Sequence, residues 1–196
     1  AKVARDREGG FGLAESIALA GEFIATPVEG PAPPVVLMTY LNPLMRFGLP
    51  RAAEAMRAAG IAGVIVPDMP PEAARPWLAA SGEIDTVFLA APTSTDERLA
   101  VVAGASSGFV YCVSTTGVTG ERASMAAGVA GLVDRVRAHT ALPVAVGFGV
   151  SGPSQAAEVA QVADGVIVGS AIVKRQRDPA EVGAFVRQLR AALGPF

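Results

Sequence analysis

Histidine, cysteine and tryptophan are almost missing from this 196-residue chain, which has one of each. A lone cysteine, Cys112, excludes disulfides and cysteine-rich metal sites and fits a reducing cytoplasm. It lies in an apolar, strand-like run with neither a histidine nor a second cysteine nearby, so it reads as a buried, inert thiol. The one histidine, His139, precedes a strand. Parallel α/β folds do their chemistry at the opposite strand ends, so His139 reads as a helix C-terminal cation or a solvated turn residue. No histidine spacing and no pair of carboxylates suggests a metal, and none is expected. A basic surplus is missing too: 16 Lys and Arg stand against 18 Asp and Glu, for a net charge of −2. Without a basic stripe, nucleic acid is excluded as the main partner. No apolar run approaches the ~18 residues of a membrane span. The first residues lack the apolar core of a signal peptide, so a cytoplasmic location away from membranes is expected.

The chain is rich instead in small apolar residues. It is 51% hydrophobic and 17% charged, enough to bury a substantial core. Six short runs rich in Val, Ile and Phe read as buried strands: 35–40, 63–67, 86–91, 109–113, 143–147 and 165–168. Ala-rich segments with helical spacing lie between them. Pro50 opens and Gly60 closes a helix over 52–59. Ser94–Glu97 resembles a capping box before a helix over 98–103. Helices are also predicted at 13–24, at 154–162 and after Asp178-Pro179, the last with Val182, Phe185, Val186 and Leu189 on one face. Trp77, in an Ala-rich helix, reads as packing.

This βα alternation predicts a parallel sheet with right-handed crossovers. The glycine-marked ends fall after the last two strands, at Gly147-Phe148-Gly149 and Gly169-Ser170. A closed β/α barrel places its phosphate there, whereas an open doubly wound sheet places its nucleotide loop after the first strand. Six units are about two short of a closed barrel. The expected fold is therefore α/β, a (β/α)8 TIM barrel lacking its first strand, first helix and second strand. Residues 1–196 would form a single incomplete barrel domain with two exposed parallel edges.

The strand C-termini carry the candidate chemistry. Ser114–Gly120, with two glycines and four hydroxyls around one valine, has the make-up of a lid that excludes water. Asp68 alone among the carboxylates follows a strand end directly; it reads as an acid–base candidate or as a cap on the following turn. Lys174 reads as a surface residue rather than a phosphate contact.

Five segments in order, Met38–Pro43, Pro67–Pro70, Gly117–Gly120, Gly147–Val150 and Gly169–Val173, resemble the tryptophan synthase alpha chain family. The likeness runs over essentially the whole chain. It implies a barrel lyase of tryptophan biosynthesis that cleaves indole-3-glycerol phosphate to indole and glyceraldehyde 3-phosphate. It also implies a heterotetramer with a beta chain that carries pyridoxal phosphate, this chain itself needing no cofactor. By the resemblance, Gly120, Phe148, Gly149, Gly169 and Ser170 hold the substrate phosphate. Tyr40 and Tyr111 line the indole pocket, with Met38, Ile65 and Val113 as apolar wall. Gly117, Val118 and Thr119 form the lid. Asn42 and Asp68 lie near the beta-chain contact and couple the two sites.

One family feature is missing. The catalytic glutamate and aspartate belong to a Glu-x-Gly-x-Pro-x-Ser-Asp-Pro stretch that these 196 residues do not contain. Glu15 and Glu22 do not replace them. The sequence starts at Ala1, not Met, and the stretch is expected just upstream. The 196-residue chain alone is expected to be inactive. Two other readings stand beside this one: a non-catalytic remnant that binds and modulates a beta chain, and another phosphate-binding barrel enzyme. The last would call for a metal-binding histidine set or a lysine at a strand end, and neither is seen.

Overall fold

A computed structural model describes residues 12–28, 30, 32–113, 125–147 and 149–194. All strands pair in parallel, and helices alternate with them, so the chain is α/β with parallel sheets. It divides into two compact units.

The first unit runs to Phe88 and takes in residues 105–108. Its elements are α1 (Leu13–Ala25), β1 (Val36–Met38), α2 (Leu41–Phe47), α3 (Leu49–Ala58), β2 (Gly63–Ile65), α4 (Arg75–Ser81) and β3 (Asp85–Val87). A single 3-10 turn, Pro71–Ala73, leads into α4. The sheet order is β1-β2-β3, with Met38, Ile65 and Val87 in register. Every residue of β2 is buried, as a central parallel strand covered on both faces should be. Leu44, Ala52, Ala53, Met56 and Trp77 fill the space outside it. The indole N–H of Trp77 donates to Thr86 Oγ1 at 2.9 Å, so the ring is buried with its one polar atom satisfied. Arg57 donates to the carbonyls of Ala80 and Ser81, both at 3.1 Å, and so occupies free acceptors at the end of α4. The N–H groups of Thr86 and Phe88 find the hydroxyls of Ser107 and Ser106, which covers the edge of β3.

The second unit holds β4 (Leu89–Ala90), α5 (Asp96–Ala105, its last residue falling to the first unit), β5 (Val110–Val113), α6 (Met125–Arg137), β6 (Val144–Gly147), α7 (Pro153–Ala160), β7 (Gly165–Ile167), α8 (Ser170–Val173) and α9 (Pro179–Ala192). The sheet order is β4-β5-β6-β7. Thr95 caps α5, its hydroxyl accepting the Arg98 N–H at 3.3 Å. Asp178 caps α9 through the N–H groups of Ala180 and Glu181. Arg135 of α6 donates to Asp96 Oδ1 at 2.8 Å and to the Ser94 carbonyl at 2.6 Å, which pins the turn after β4.

One expectation changes. The run at 86–91 is two short strands, β3 and β4, one in each sheet, with Phe88 between them. Residues 41–47 form α2, whose first N–H is accepted by Asp68 from a distant part of the chain. The helix read around 52–59, with Pro50 in its first turn, is α3. Among the described residues β1 pairs only with β2 and β7 only with β6, and both strands are less covered than β2 and β5.

Asp164 lies just before β7. Its Oδ2 accepts the Val144 N–H at 2.8 Å and its Oδ1 the Arg137 guanidinium at 2.9 Å. The Val144 N–H is the main cause of a carboxyl held below its ordinary value; partial burial opposes it and Arg137 adds to it. A lowered folded-state value means that the stabilisation is present above the unfolded value and is lost as pH falls through the folded one. Urea midpoints measured from about pH 6 down to about pH 3 should fall less steeply in Asp164→Asn than in the parent chain. The contribution stays modest because both partners are partly solvated.

Candidate functional site

The glycine-marked turns after β6 and β7 fall on neighbouring strands. Gly147 pairs with Ile167, so the two chains leave the sheet side by side. Gly149 has φ +84°, a left-handed conformation that only glycine adopts freely. Gly169 differs: its φ is −107°, and a Cβ there would meet nothing within 4 Å. Among the described residues no neighbouring atom forces glycine at that position. Ser170, the first residue of α8, is exposed beside it.

The face of the second sheet below these turns is apolar. Tyr111 and Val113 alternate along β5 and so point to the same side, and Val113 is the register partner of Gly147. The Tyr111 ring crosses over Gly147: a Cβ built on that glycine would sit 2.5 Å from the phenol oxygen and 2.8 Å from Cε2. Tyr111 is 7% exposed, and burial pushes its phenol above the ordinary value, so it stays neutral at physiological pH. Tyr111 thus presents a neutral aromatic ring on this face of the sheet. Cys112 points to the other side. It is fully buried and its thiol is pushed up to about 12 by that burial, against the opposing charge of Arg137, in keeping with an inert role.

In the first unit, Met38 and Ile65 are register partners and share a face of their sheet. Ile65 is buried, whereas Met38 and Tyr40 are each 58% exposed. Asp68 accepts the Leu41 N–H at 2.8 Å. It therefore caps α2, the helix after β1, and not the turn that follows Asp68 itself. The carboxylate ties the two strand-end loops together, and its negative charge suits the positive end of the helix dipole at the start of α2. Asn42, one residue into α2, lines a cavity of about 280 Å³ with Gly12, Leu13, Pro43, Arg46 and Phe47.

Gly117, Val118, Thr119 and Gly120 of the expected lid, and Phe148 of the expected phosphate site, lie outside the described residues. His139 is exposed just past the end of α6, Lys174 is exposed after α8, and Trp77 is core, each where its sequence reading put it. Glu15 accepts the Gly12 N–H at 2.8 Å and is occupied as a helix cap; Glu22 is exposed within α1. Among the described residues no three His, Cys, Asp or Glu side chains gather into a metal site, and no helix is long and apolar enough to cross a membrane. The contact of Tyr111 with Gly147 was not legible beforehand. The only local signal was a glycine ending a β-branched run.

A sequence model described as "Tryptophan synthase alpha chain" matches residues 6–192. The tryptophan synthase alpha chain of Chloroflexus aurantiacus is 44% identical over 96% of this chain and 73% of its own length. That of Solibacter usitatus is 48% identical over 82% and 64%, and that of Mycobacterium tuberculosis 53% over 70% and 52%. The chain thus spans between about half and three quarters of these relatives. Among solved structures, a tryptophan synthase of M. tuberculosis superposes with a TM-score of 0.84 at 42% identity, over 96% of this chain and 72% of that one. The alpha subunit from Legionella pneumophila strain Paris superposes with a TM-score of 0.76 at 30% identity, over 92% and 69%.

Proposed function

This chain belongs to the tryptophan synthase alpha chain family, and on that footing we propose that its 196 residues are the substrate-holding part of such a lyase. Members of the family cleave indole-3-glycerol phosphate in tryptophan biosynthesis. The observation that carries the proposal is the pairing of β6 with β7, Gly147 against Ile167, from which the two glycine-bearing turns leave neighbouring strands.

In this reading Gly149, Gly169 and Ser170 hold the phosphate dianion through backbone N–H groups and a hydroxyl. Gly120 and Phe148 complete that set, and Gly117, Val118 and Thr119 close over it. Tyr111 and Val113 contact the indole ring. Asn42 and Asp68 face the beta chain. A capping carboxylate suits a coupling role, because a shift of either strand-end loop changes its hydrogen bond. The fold that goes with this reading is a β/α barrel of which these residues supply about six units. Pyridoxal phosphate belongs to the partner beta chain, and the assembly is cytoplasmic.

The chemistry itself needs more. Breaking the bond between indole C3 and the glycerol carbon requires a proton delivered to C3 and a proton removed from the adjacent glycerol hydroxyl. Each positioned acid or base contributes roughly 10²–10⁴-fold. Binding groups that hold substrate and transition state alike do not replace them. The family's catalytic carboxylate stretch is not among these 196 residues.

Two measurements test the proposal together. Indole release from indole-3-glycerol phosphate by the 196-residue chain should stay at background. Glycerol 3-phosphate titrated into the same chain should bind, and Ser170→Asp, which sets a carboxylate against the anion, should weaken it at least tenfold. Turnover at enzymatic rates would overturn the substrate-holding assignment. Unchanged binding in Ser170→Asp would overturn the phosphate assignment. A beta chain that gains activity on mixing, with no phosphate bound, would favour the modulator reading instead.

A further inference from the structure

The segment Ser170–Val173 is a single short helical turn. The Gly169 carbonyl accepts from Ile172 and Val173 at 3.0 and 3.1 Å, the Ser170 carbonyl from Lys174 at 3.0 Å, and the Ile172 carbonyl from Arg175 at 2.9 Å. The Arg175 side chain makes three attachments. Its Nη1 donates to the Ala171 carbonyl at 2.7 Å. Its Nε lies 3.3 Å from Glu181 Oε1. Its guanidinium carbon sits 4.0 Å from the centre of the Phe185 ring. Phe185 is 5% exposed, a fixed anchor on the inner face of α9.

We propose that Arg175 is a positioning residue for the anion site, joining the Gly169–Ser170 turn to α9 so that the turn keeps its shape before the ligand arrives. The inference rests on the phosphate reading given above. The three contacts differ in weight. The ion pair with Glu181 is partly solvated and adds little. The stacked guanidinium and its short bond to a carbonyl act at a less exposed position, where both are stronger. Lysine cannot reproduce them, because an ammonium has neither the planar face nor the fixed fork. Rigidity established beforehand lowers the ordering cost of binding, so its loss appears as weaker affinity.

The test is a titration of the full 196-residue chain with glycerol 3-phosphate, and separately with inorganic phosphate, at a temperature below every variant's unfolding midpoint. Arg175→Ala should raise Kd roughly tenfold, as expected for losing one stacked cation and one charge-assisted hydrogen bond. Arg175→Lys should recover less than half of that loss on a logarithmic scale, and Glu181→Gln should change Kd less than twofold. If Arg175→Ala does not fold, Phe185→Leu, which removes the ring but keeps the cation, should weaken binding severalfold. Parent-like Kd in Arg175→Ala, or in Phe185→Leu where that variant stands in, would overturn the inference even if the midpoints fall. Full recovery in Arg175→Lys would also overturn it, since charge alone would then suffice. Failure of the unsubstituted chain to bind either anion would instead overturn the phosphate reading beneath it.

Discussion

Trp77→Ala is expected to cost the first unit about 3–5 kcal/mol, the usual range for removing a fully buried large aromatic side chain. Trp77 is 0% exposed and is among the largest fully buried side chains. Two effects add in the alanine variant. The vacated volume loses its packing contacts, and Thr86 Oγ1 loses the donor it accepts from. A separate variant resolves them. Thr86→Val keeps the shape but leaves the indole N–H buried without an acceptor, at a cost of about 1–3 kcal/mol. Thr86 is itself only 1% exposed, so water does not take the acceptor's place. Urea unfolding followed by far-UV circular dichroism measures both. Trp77 is the only tryptophan, so its fluorescence in the parent and in Thr86→Val reports on the first unit specifically. That matters because two compact units need not unfold as one. A midpoint for Trp77→Ala equal to that of the parent would remove Trp77 from the core.

The second large effect is expected from Gly147→Ala. One added methyl is normally a mild change in a strand, but here the space is already taken. The new carbon would lie 2.5 Å from the Tyr111 phenol oxygen, 2.8 Å from its Cε2 and 2.8 Å from Ile167 Cβ. Side chains of β5 and β7 would both have to give way. Overpacking of this kind typically costs about 1–3 kcal/mol, and a contact from two sides belongs at the upper end. The double variant Gly147→Ala with Tyr111→Phe removes the nearest atom but leaves Cε2 and Ile167 in place. It should recover part of the loss, not all. Thermal melts of the four-variant cycle give the coupling directly. Full additivity of the two substitutions would mean that the ring does not rest on Gly147.

Much of the architecture was legible because the signals are local. Short β-branched runs between Ala-rich segments read as buried parallel strands, and five of the six runs are single strands, the sixth, 86–91, being divided between β3 and β4. The strand-end motifs carried the family resemblance for the same reason: each is a contiguous stretch of a few residues. What stayed hidden depends on partners far apart in sequence. Residues 41–47 contain an internal proline and open without a good cap of their own, so nothing nearby marks a helix. The cap comes from Asp68, 27 positions on from Leu41. Asp68 in turn was weighed as an acid–base group, because its sequence neighbours do not reveal the N–H that occupies it.

From the amino-acid order alone came the α/β alternation, the family, the absence of its catalytic carboxylates from these residues, and the identity of the glycine-bearing turns. The alternation follows from composition and period, whereas the family and its missing carboxylates follow from the likeness of contiguous motifs; both are properties of neighbours along the chain. Tertiary structure alone decided that the two turns leave adjacent strands, that the Tyr111 ring requires Gly147, and that Arg175 bridges a short turn to Phe185. Those relations rest on packing, where atoms held a few ångströms apart by the whole fold determine which side chain fits and which hydrogen bond forms.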